Sequence, residues 1–486
     1  METTKQEPEP QSQPLSQLAR DTFAEKKITL MGLGLLGRGL GDAKFLAAAG
    51  ADLIITDLKT ETELASSVAA LADVHGPNGA PAKITFHLGG HLLEDFENRD
   101  LVIKAPNTPL DSPFIAHARE RGIPIEMDAS LFVKLSLKLS APPITVGITG
   151  TRGKSTTTQL IFEMAKAAGK NPQLGGNVRD TATLPFIERV SGTVSTRTLS
   201  GTPIILELDS WQLQGFAEDK LSPHVAVWTN FMPDHMNYYH GDVERYFEDK
   251  AAIARFQKAG DFFIAPRDIK ERIETHFGPL AGAWIDPTAP ENIIPADWAI
   301  ALPGEHNRAN AASARATARC LGISDDVVKN VLMNFSSLPN RLELLGEKND
   351  IAFYNDSNAT TPEATLVALR TLAGDPRTKD RPIILIAGGN DKELSFETLA
   401  DEIAASIAPT IKKLILFPGK ATDKLTALLP KDFPIAPVKN MDEAFAAAFA
   451  ATAPGDIVLL SPAATSFGTF KNEYDRGDQF RAKFAE

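Results

Sequence analysis

The sequence predicts an α/β protein of three domains with mostly parallel sheets, and three observations lead there. At 486 residues the chain is too long for one hydrophobic core, and about 150 residues per domain gives roughly three. Short β-branched or leucine-rich runs alternate with helical segments, the pattern of βαβ units whose strands are buried on both faces. The runs fall into groups that meet at proline-bearing joints.

Taken in order, residues 1–22 open with METTKQEPEPQSQPLSQ, which is polar and proline-rich. The stretch lacks both the apolar core of a signal peptide and an Arg-rich amphipathic pattern, so it is expected to be a flexible tail. Residues 23–140 carry the strand-like runs KITLMGL, ADLIITD and LVIKAP and close at the proline pair of KLSAPPITV. Residues 141–338 carry ITVGITG, PIILELD and VAVWTNF and end near SSLPNRLELL. Residues 339–486 resume the alternation with IAFYND, PIILIAGG, KLILFPG and DIVLLSP.

Composition narrows the function. The chain is 43% apolar, 23% charged and 7% aromatic, as expected of an ordinary globular protein. Its formal charge of -12 opposes nucleic-acid binding, which draws on clustered Lys and Arg. One cysteine, Cys320, excludes an intramolecular disulfide framework and a cysteine-based zinc site, and its helical neighbours mark it as a small buried residue. No apolar run reaches the roughly 18 residues of a membrane span, so a cytoplasmic protein is expected.

KITLMGLGLLGRGL places Gly32, Gly34 and Gly37 at G-x-G-x-x-G spacing between a strand and a helix, and Asp57 ends the next strand. A diphosphate could sit on the helix N-terminus while Asp57 accepts from a ribose or sugar hydroxyl. NAD, FAD and UDP-sugars share that feature, so an NAD-dependent oxidoreductase is one reading.

GITGTRGKSTTTQLI is a second glycine loop, with Gly147, Gly150 and Gly153 ahead of a helix. Its backbone N–H groups can cradle phosphates, Lys154 can lie along the β and γ phosphates, and Ser155 or Thr156 can hold Mg²⁺. The first glycine of the usual G-x-x-x-x-G-K-[ST] pattern is missing, since Ile148 stands there. A phosphate loop needs an acidic partner at the end of a neighbouring buried strand. Glu207 in TPIILELDSWQL stands at such a place, with Asp209 a weaker candidate. Downstream, a loop carries Asp234, His235 and His240. Histidines five apart do not share a helix face, which argues against a zinc pair and for one His beside Mg²⁺ and phosphate. Lys250 alone reads as a solvated helix lysine.

The order T-G-T-R-G-K-S-T (149–156), G-G-N (175–177), E-L-D-S-W-Q-L (207–213), D-H-M (234–236), G-E-H-N-R-A-N (304–310), L-P-N-R-L-E (338–343), N-D-S-N-A-T (355–360) and L-L-S-P-A-A-T-S-F-G-T-F-K-N (459–472) resembles the Mur ligase family. The resemblance covers nearly the whole chain after the tail. Its loop pattern is T-G-x-x-G-K-[ST], which accounts for the missing glycine. It implies an N-terminal Rossmann-like UDP-binding domain, a central P-loop ATPase domain and a C-terminal Rossmann-like domain that brings an amino acid.

Position by position, the resemblance places ATP on Gly150, Thr151, Arg152, Gly153, Lys154, Ser155 and Thr156, with Asn310, Arg341 and Asp356 at adenine and ribose. It implies two Mg²⁺ ions near Ser155, Glu207 and His235, and a carbamylated lysine at Lys250. Gly34, Leu35, Leu36, Asp57 and Lys59 would meet the uridine-linked substrate, and Asn177 its muramoyl part. Thr360, Lys392, Ser466 and Lys471 would receive the incoming amino acid, whose carboxylates need cations or helix N-termini. Thr361 reads as the N-cap of a helix with Pro362 at its first position, aiming free N–H groups toward that cleft.

Several residues depart from the family pattern: Arg152 replaces an asparagine, Asp209 and Trp211 replace serine and phenylalanine, Lys59 replaces an arginine, and Asn358 replaces a lysine. Glu473 stands where an aromatic residue is expected, with Tyr474 one place on. The implied reaction is ATP-driven amide formation between UDP-N-acetylmuramoyl-L-alanine and D-glutamate, by a monomer, with Lys154, Glu207, His235 and Lys250 as catalytic residues. L-glutamate or another amino acid is the alternative within the family. Sites spread over three domains imply closure around the substrates.

Overall fold

A computed structural model of the chain describes residues 17–35, 37–179, 181–191, 202–236, 238–298, 300–335, 337–405 and 411–486. Three sheets follow one another along the sequence. The first is built from β1 (Lys27–Met31), β2 (Asp52–Asp57), β3 (Lys83–Leu88), β4 (Leu101–Lys104) and β5 (Ile125–Glu126), in the order β3-β2-β1-β4-β5. The second contains β6 (Ile144–Thr149), β7 (Gln173–Gly176), β8 (Pro203–Glu207), β9 (Val225–Trp228), β10 (Phe262–Ile264) and β11 (Ala283–Ile285), ordered β11-β10-β9-β6-β8-β7. The third contains β12 (Glu343–Lys348), β13 (Ile351–Asn355), β14 (Ile383–Gly388), β15 (Ile411–Phe417), β16 (Ile435–Pro437) and β17 (Ile457–Leu460), ordered β12-β13-β17-β14-β15-β16. All pairings are parallel except β12 with β13.

This is the α/β fold of three domains, two of them Rossmann-like, that the sequence leads one to expect. The strand β14 shows why the apolar runs are continuous. Ile383, Leu385 and Ala387 enter one core while Ile384 and Ile386 enter another on the opposite face. A strand covered by helices on both sides has no solvent face on which to place polar residues.

By contacts the chain forms two compact units, one of Met1–Ala296 with Ala309–Val331 and the other of Asp297–Arg308 with Leu332–Glu486. The first two sheets share a unit because one core runs through both, from Ala19 and Ile28 to Phe247 and Ile273. The expected joint at residue 140 is therefore a change of sheet without a break in packing. The segment 297–308, placed with the central domain from sequence, packs with the C-terminal unit.

Of the tail expected over residues 1–22, residues 1–16 lie outside the described residues, and the rest is helical rather than flexible. Gln17–Phe23 is a helix with Ala19 and Phe23 buried, and Phe23 meets Phe45 edge-on at 5.7 Å. Burying one phenylalanine contributes about 1.5–3 kcal/mol, which the polar composition of the preceding residues concealed. No helix of the described residues is long and apolar enough to cross a membrane.

Candidate functional site

In the first unit, two loops leave the carboxyl ends of central strands, where an open parallel sheet places its ligands. The first follows β1. Gly34 and Gly37 have φ of 63° and 81°, and Gly37 precedes the helix Arg38–Ala48 without a side-chain cap. Asp57, buried at the end of β2, accepts from Gly34 N at 2.9 Å and from Lys59 N at 2.9 Å. It thus fixes the loop, and its carboxylate keeps lone pairs for a hydroxyl. Leu35 is exposed, and Leu36 lies outside the described residues.

The second loop follows β6. Ile148, in the position of the missing glycine, is wholly buried within the strand, so the turn begins only at Gly150. A Cβ on Gly150 would lie 2.0 Å from Thr229 Oγ1, and one on Gly153 would lie 2.2 Å from Asn310 Oδ1, with φ at 144° and 81°. Only glycine serves at either place. The loop is pinned by Thr151 N to Asn230 O at 3.1 Å, by Thr151 Oγ1 to Met232 O at 2.9 Å and by Thr229 Oγ1 to Arg152 O at 2.6 Å. Lys154, Ser155 and Thr156 open the helix Lys154–Ala167, whose N-terminus also lacks a side-chain cap.

Two lysines converge on this turn. Lys154 Nζ donates to Gly150 O at 2.9 Å, and Lys250 Nζ donates to the same oxygen at 3.0 Å and to Thr149 Oγ1 at 3.2 Å. The helix Val243–Arg255 carries Lys250 fully buried, against its expected place on a solvated face. Burial, then the charge of Lys154, holds the Lys250 amine well below the usual lysine range. A lowered pKa makes the amine easier to deprotonate and so more nucleophilic than an exposed lysine. Tyr246, one helical turn before it, places its ring 5.1 Å from Lys250 Nζ. The i, i+4 spacing of Tyr246 and Lys250 was the available sequence signal for this partner.

Glu207 ends β8 buried, opposite Ile148 of β6 and Gly176 of β7. Its carbonyl receives Asn177 N at 2.7 Å, so Asn177 stands directly beside it. Asp209 is otherwise engaged: it caps the helix Ser210–Glu218 in a capping box with Gln212. His235, with φ of 56°, lies with its ring centroid 4.7 Å from that of Trp211 and tilted 55° to it, and burial keeps its imidazole below the ordinary pKa. Asp234 pairs with Arg152 at 3.0 Å across the loop mouth, a partner that linear spacing did not disclose.

The donors fit Mg²⁺. The described residues form no ready cage of three or more His, Cys, Asp or Glu side chains. Mg²⁺ commonly takes one or two carboxylates, with phosphates and water completing the shell. A buried Glu207 on the strand beside the phosphate loop, with the Ser155 hydroxyl and a His235 of lowered pKa, is such a set.

In the second unit, β13, β17 and β14 are neighbours, and the segments following them carry Asp356 and Thr360, Ser466 and Lys471, and Lys392. Asp356 accepts from Leu342 N at 3.0 Å and Ser461 Oγ at 2.8 Å, and burial pushes its carboxyl up to about 7. Arg341 is exposed, between Asn340 and Leu342 at φ of 63° and 44°. Lys392 donates to Thr360 Oγ1 at 3.1 Å. Thr361 caps the helix Pro362–Gly374 by accepting from Ala364 N, as its spacing led one to expect.

Among the described residues, the hydroxyl of buried Ser466 has no partner, nor does the buried Asn358 Oδ1. Lys471 is exposed, with its backbone N bonded to Asp475 at 3.0 Å. Arg476, which spacing did not single out, is wholly buried and ties two of these loops together. It donates to Ser357 O at 2.8 Å and to Ala464 O at 3.3 Å.

Two family models match the chain: the Mur ligase middle domain over residues 148–278 and the Mur ligase glutamate ligase domain over residues 340–464. The chain is 36% identical to the UDP-N-acetylmuramoylalanine–D-glutamate ligase of Roseiflexus sp. (strain RS-1), over 94% of this chain and 98% of that protein. It is 33% identical to the ligase of the same name from Borreliella burgdorferi (strain ZS7), over 95% and 98%. Among solved structures, the UDP-N-acetylmuramate-alanine ligase of Thermotoga maritima shares the fold at a TM-score of 0.60 with 18% identity, covering 95% of this chain and 99% of that one.

Proposed function

The chain belongs to the Mur ligase family, and from that premise we propose that it joins D-glutamate to UDP-N-acetylmuramoyl-L-alanine at the expense of ATP. The observation that carries this reading is the meeting of Lys154 and the buried Lys250 on one phosphate-loop carbonyl, with Glu207 on the adjacent strand. An NAD-dependent oxidoreductase has no task for those three residues together.

In the proposed reaction the alanyl carboxylate attacks the γ-phosphate of ATP, forming an acyl phosphate and releasing ADP. The amine of glutamate then attacks the acyl carbon, phosphate leaves, and the amine gives up a proton. Lys154 turns from its own loop carbonyls to the transferring phosphoryl group, where positive charge matters most. Arg152 and the N–H groups of residues 150–156 hold the remaining phosphate oxygens. Asn310, packed against Gly153, meets the nucleotide together with Arg341 and Asp356.

Mg²⁺, when bound by Ser155, Glu207, His235 and the carbamate of Lys250, supplies charge neutralisation along the phosphates. Carbamylation converts a neutral amine into an anion, which makes Lys250 a ligand. Gly34, Leu35, Leu36, Asp57 and Lys59 hold the uridine-linked part of the acceptor, and Asn177 its muramoyl part. Thr360, Lys392, Ser466 and Lys471 hold glutamate. Asn358, whose buried carboxamide oxygen has no partner among the described residues, stands ready to accept a hydrogen bond from the glutamate amine. The protein works as a cytoplasmic monomer in peptidoglycan precursor synthesis.

The test is phosphate release from ATP with UDP-N-acetylmuramoyl-L-alanine, comparing D-glutamate with L-glutamate and other amino acids. Release dependent on D-glutamate is expected. Release with a different amino acid would move the substrate, and no release with any of them would remove the acceptor assignment.

A further inference from the structure

The helix that follows the first glycine loop begins with Arg38, and its guanidinium crosses to the second sheet. Nη2 donates to Gly176 O at 3.2 Å and to Asn177 Oδ1 at 3.0 Å. Among the described residues its nearest carboxylate is Asp128, 3.9 Å from Nε and beyond hydrogen-bond reach. Asp128 is 2% exposed and Asp42, one turn along from Arg38, is 3% exposed. Among the described residues, Arg38 Nε, Asp42 Oδ1 and both oxygens of Asp128 are buried without hydrogen-bond partners.

That arrangement sacrifices stability. A part-buried arginine facing a buried carboxylate is best satisfied by a bidentate pair, and each buried polar atom left unpaired costs about 1–3 kcal/mol. Here the guanidinium leaves its own ion pair half made and spends its hydrogen bonds on a backbone carbonyl and one side chain. Departures of this kind from local satisfaction concentrate where function requires a geometry. The surroundings give Arg38 little freedom. A Cβ on Gly41, in the same helix, would lie 2.5 Å from Ala182 Cβ, so the helix is seated directly on the segment that follows Asn177. The helix Asp128–Ser136 is seated as closely, since a Cβ on Gly215 would lie 2.6 Å from Ser130 Oγ.

We propose that Arg38 is a positioning residue: it orients the Asn177 carboxamide for the acceptor substrate, with Asp128 and Asp42 setting the placement of the guanidinium. This rests on the reading of Asn177 as an acceptor contact. Arg38 directly follows Gly37 of the loop assigned to the uridine-linked part, so one side chain joins the two places that hold the acceptor. By accepting from Arg38, the Asn177 oxygen leaves the amide nitrogen directed elsewhere, which fixes which end of the carboxamide meets the substrate.

The experiment is a double-mutant cycle on KM for UDP-N-acetylmuramoyl-L-alanine with Arg38→Gln, Asn177→Ala and the double variant, alongside Arg38→Lys. Expected for Arg38→Gln is a rise of about 10- to 100-fold in acceptor KM, the usual range for a lost charged hydrogen bond, with KM for ATP within about twofold. The double variant should be no worse than Asn177→Ala alone, because Arg38 acts through Asn177. Arg38→Lys, which keeps the charge, should recover part of the loss and serves if the glutamine variant does not fold.

Additive losses, or an unchanged acceptor KM, overturn the proposal. Amide exchange of Asn177, whose N–H is bonded to Glu207 O, is read on the same variants without substrate. It should quicken in Arg38→Gln, and an unchanged rate also overturns the proposal. If the wild-type protein releases no phosphate with this acceptor, the functional reading fails instead, and the exchange rates still decide whether Arg38 holds Asn177.

Discussion

Lys154 and Lys250 donate to a single carbonyl oxygen at 2.9 and 3.0 Å, so each charge disfavours the other. Burial first, and then the charge of Lys154, holds the Lys250 amine well below the usual lysine range. A lowered pKa raises the share of unprotonated amine, the form that the proposed carbamylation needs. As pH falls through the depressed pKa the amine protonates and the nucleophile is lost, so activity should fall on the acid side and recover when bicarbonate is added at higher pH. Protein freed of CO₂ should lose activity reversibly, as followed by phosphate release before and after bicarbonate. Activity indifferent to CO₂ would remove the modification from the account. Lys250→Ala should lower kcat by about 10²- to 10³-fold, the scale set by removing one transition-state stabiliser.

The turn between β6 and the helix Lys154–Ala167 works because its backbone goes where side chains cannot. Gly153→Ala would force a Cβ to within 2.2 Å of Asn310 Oδ1 at φ of 81°. That strain, of order 1–3 kcal/mol, should appear as roughly a tenfold or greater rise in KM for ATP, with KM for the acceptor little changed. A second element-level test concerns the helices Glu305–Cys320 and Asp325–Asn334. Arg315 and Arg319 both hydrogen-bond Asp325 and hold its carboxyl near 2. Its folded pKa lies below the ordinary 3.8, so the stabilisation is present above that value and lost as pH falls through about 2. Asp325→Asn should cost about 1–2 kcal/mol at neutral pH, less than a fully buried pair because Asp325 is part exposed. Acid melts should then show a shallower loss between about pH 4 and 2. Legibility in the sequence followed the same physics. Central strands such as β6, β8 and β14 are continuous apolar runs and could be read directly. The strands β3, β5, β7, β11, β12 and β16 lie at sheet edges, where half-exposed residues break the run, and they went unread together with the short β10. The phosphate loop was legible because its chemistry is local. Arg38, Arg152 with Asp234, and Arg476 were not, because their meaning lies in partners far away in sequence.

At the scale of the whole molecule, the proposed roles are divided. Lys154, Glu207, Lys250 and Asn177 belong to the first compact unit, while Arg341, Asp356, Lys392 and Ser466 belong to the second. One reaction needs both sets, so saturation with ATP, acceptor and glutamate should compact the protein. Solution scattering should then give a smaller radius of gyration, and a profile unchanged by all three ligands would contradict a shared site. The central claim is that the acceptor carboxylate itself takes the γ-phosphate before glutamate enters. The most direct test is oxygen transfer: UDP-N-acetylmuramoyl-L-alanine labelled with ¹⁸O in its carboxylate is turned over with ATP and D-glutamate, and phosphate and product are read by mass spectrometry. An acyl phosphate requires one labelled oxygen in the released phosphate and a product heavier by one glutamyl residue. Unlabelled phosphate accompanying that product would contradict it.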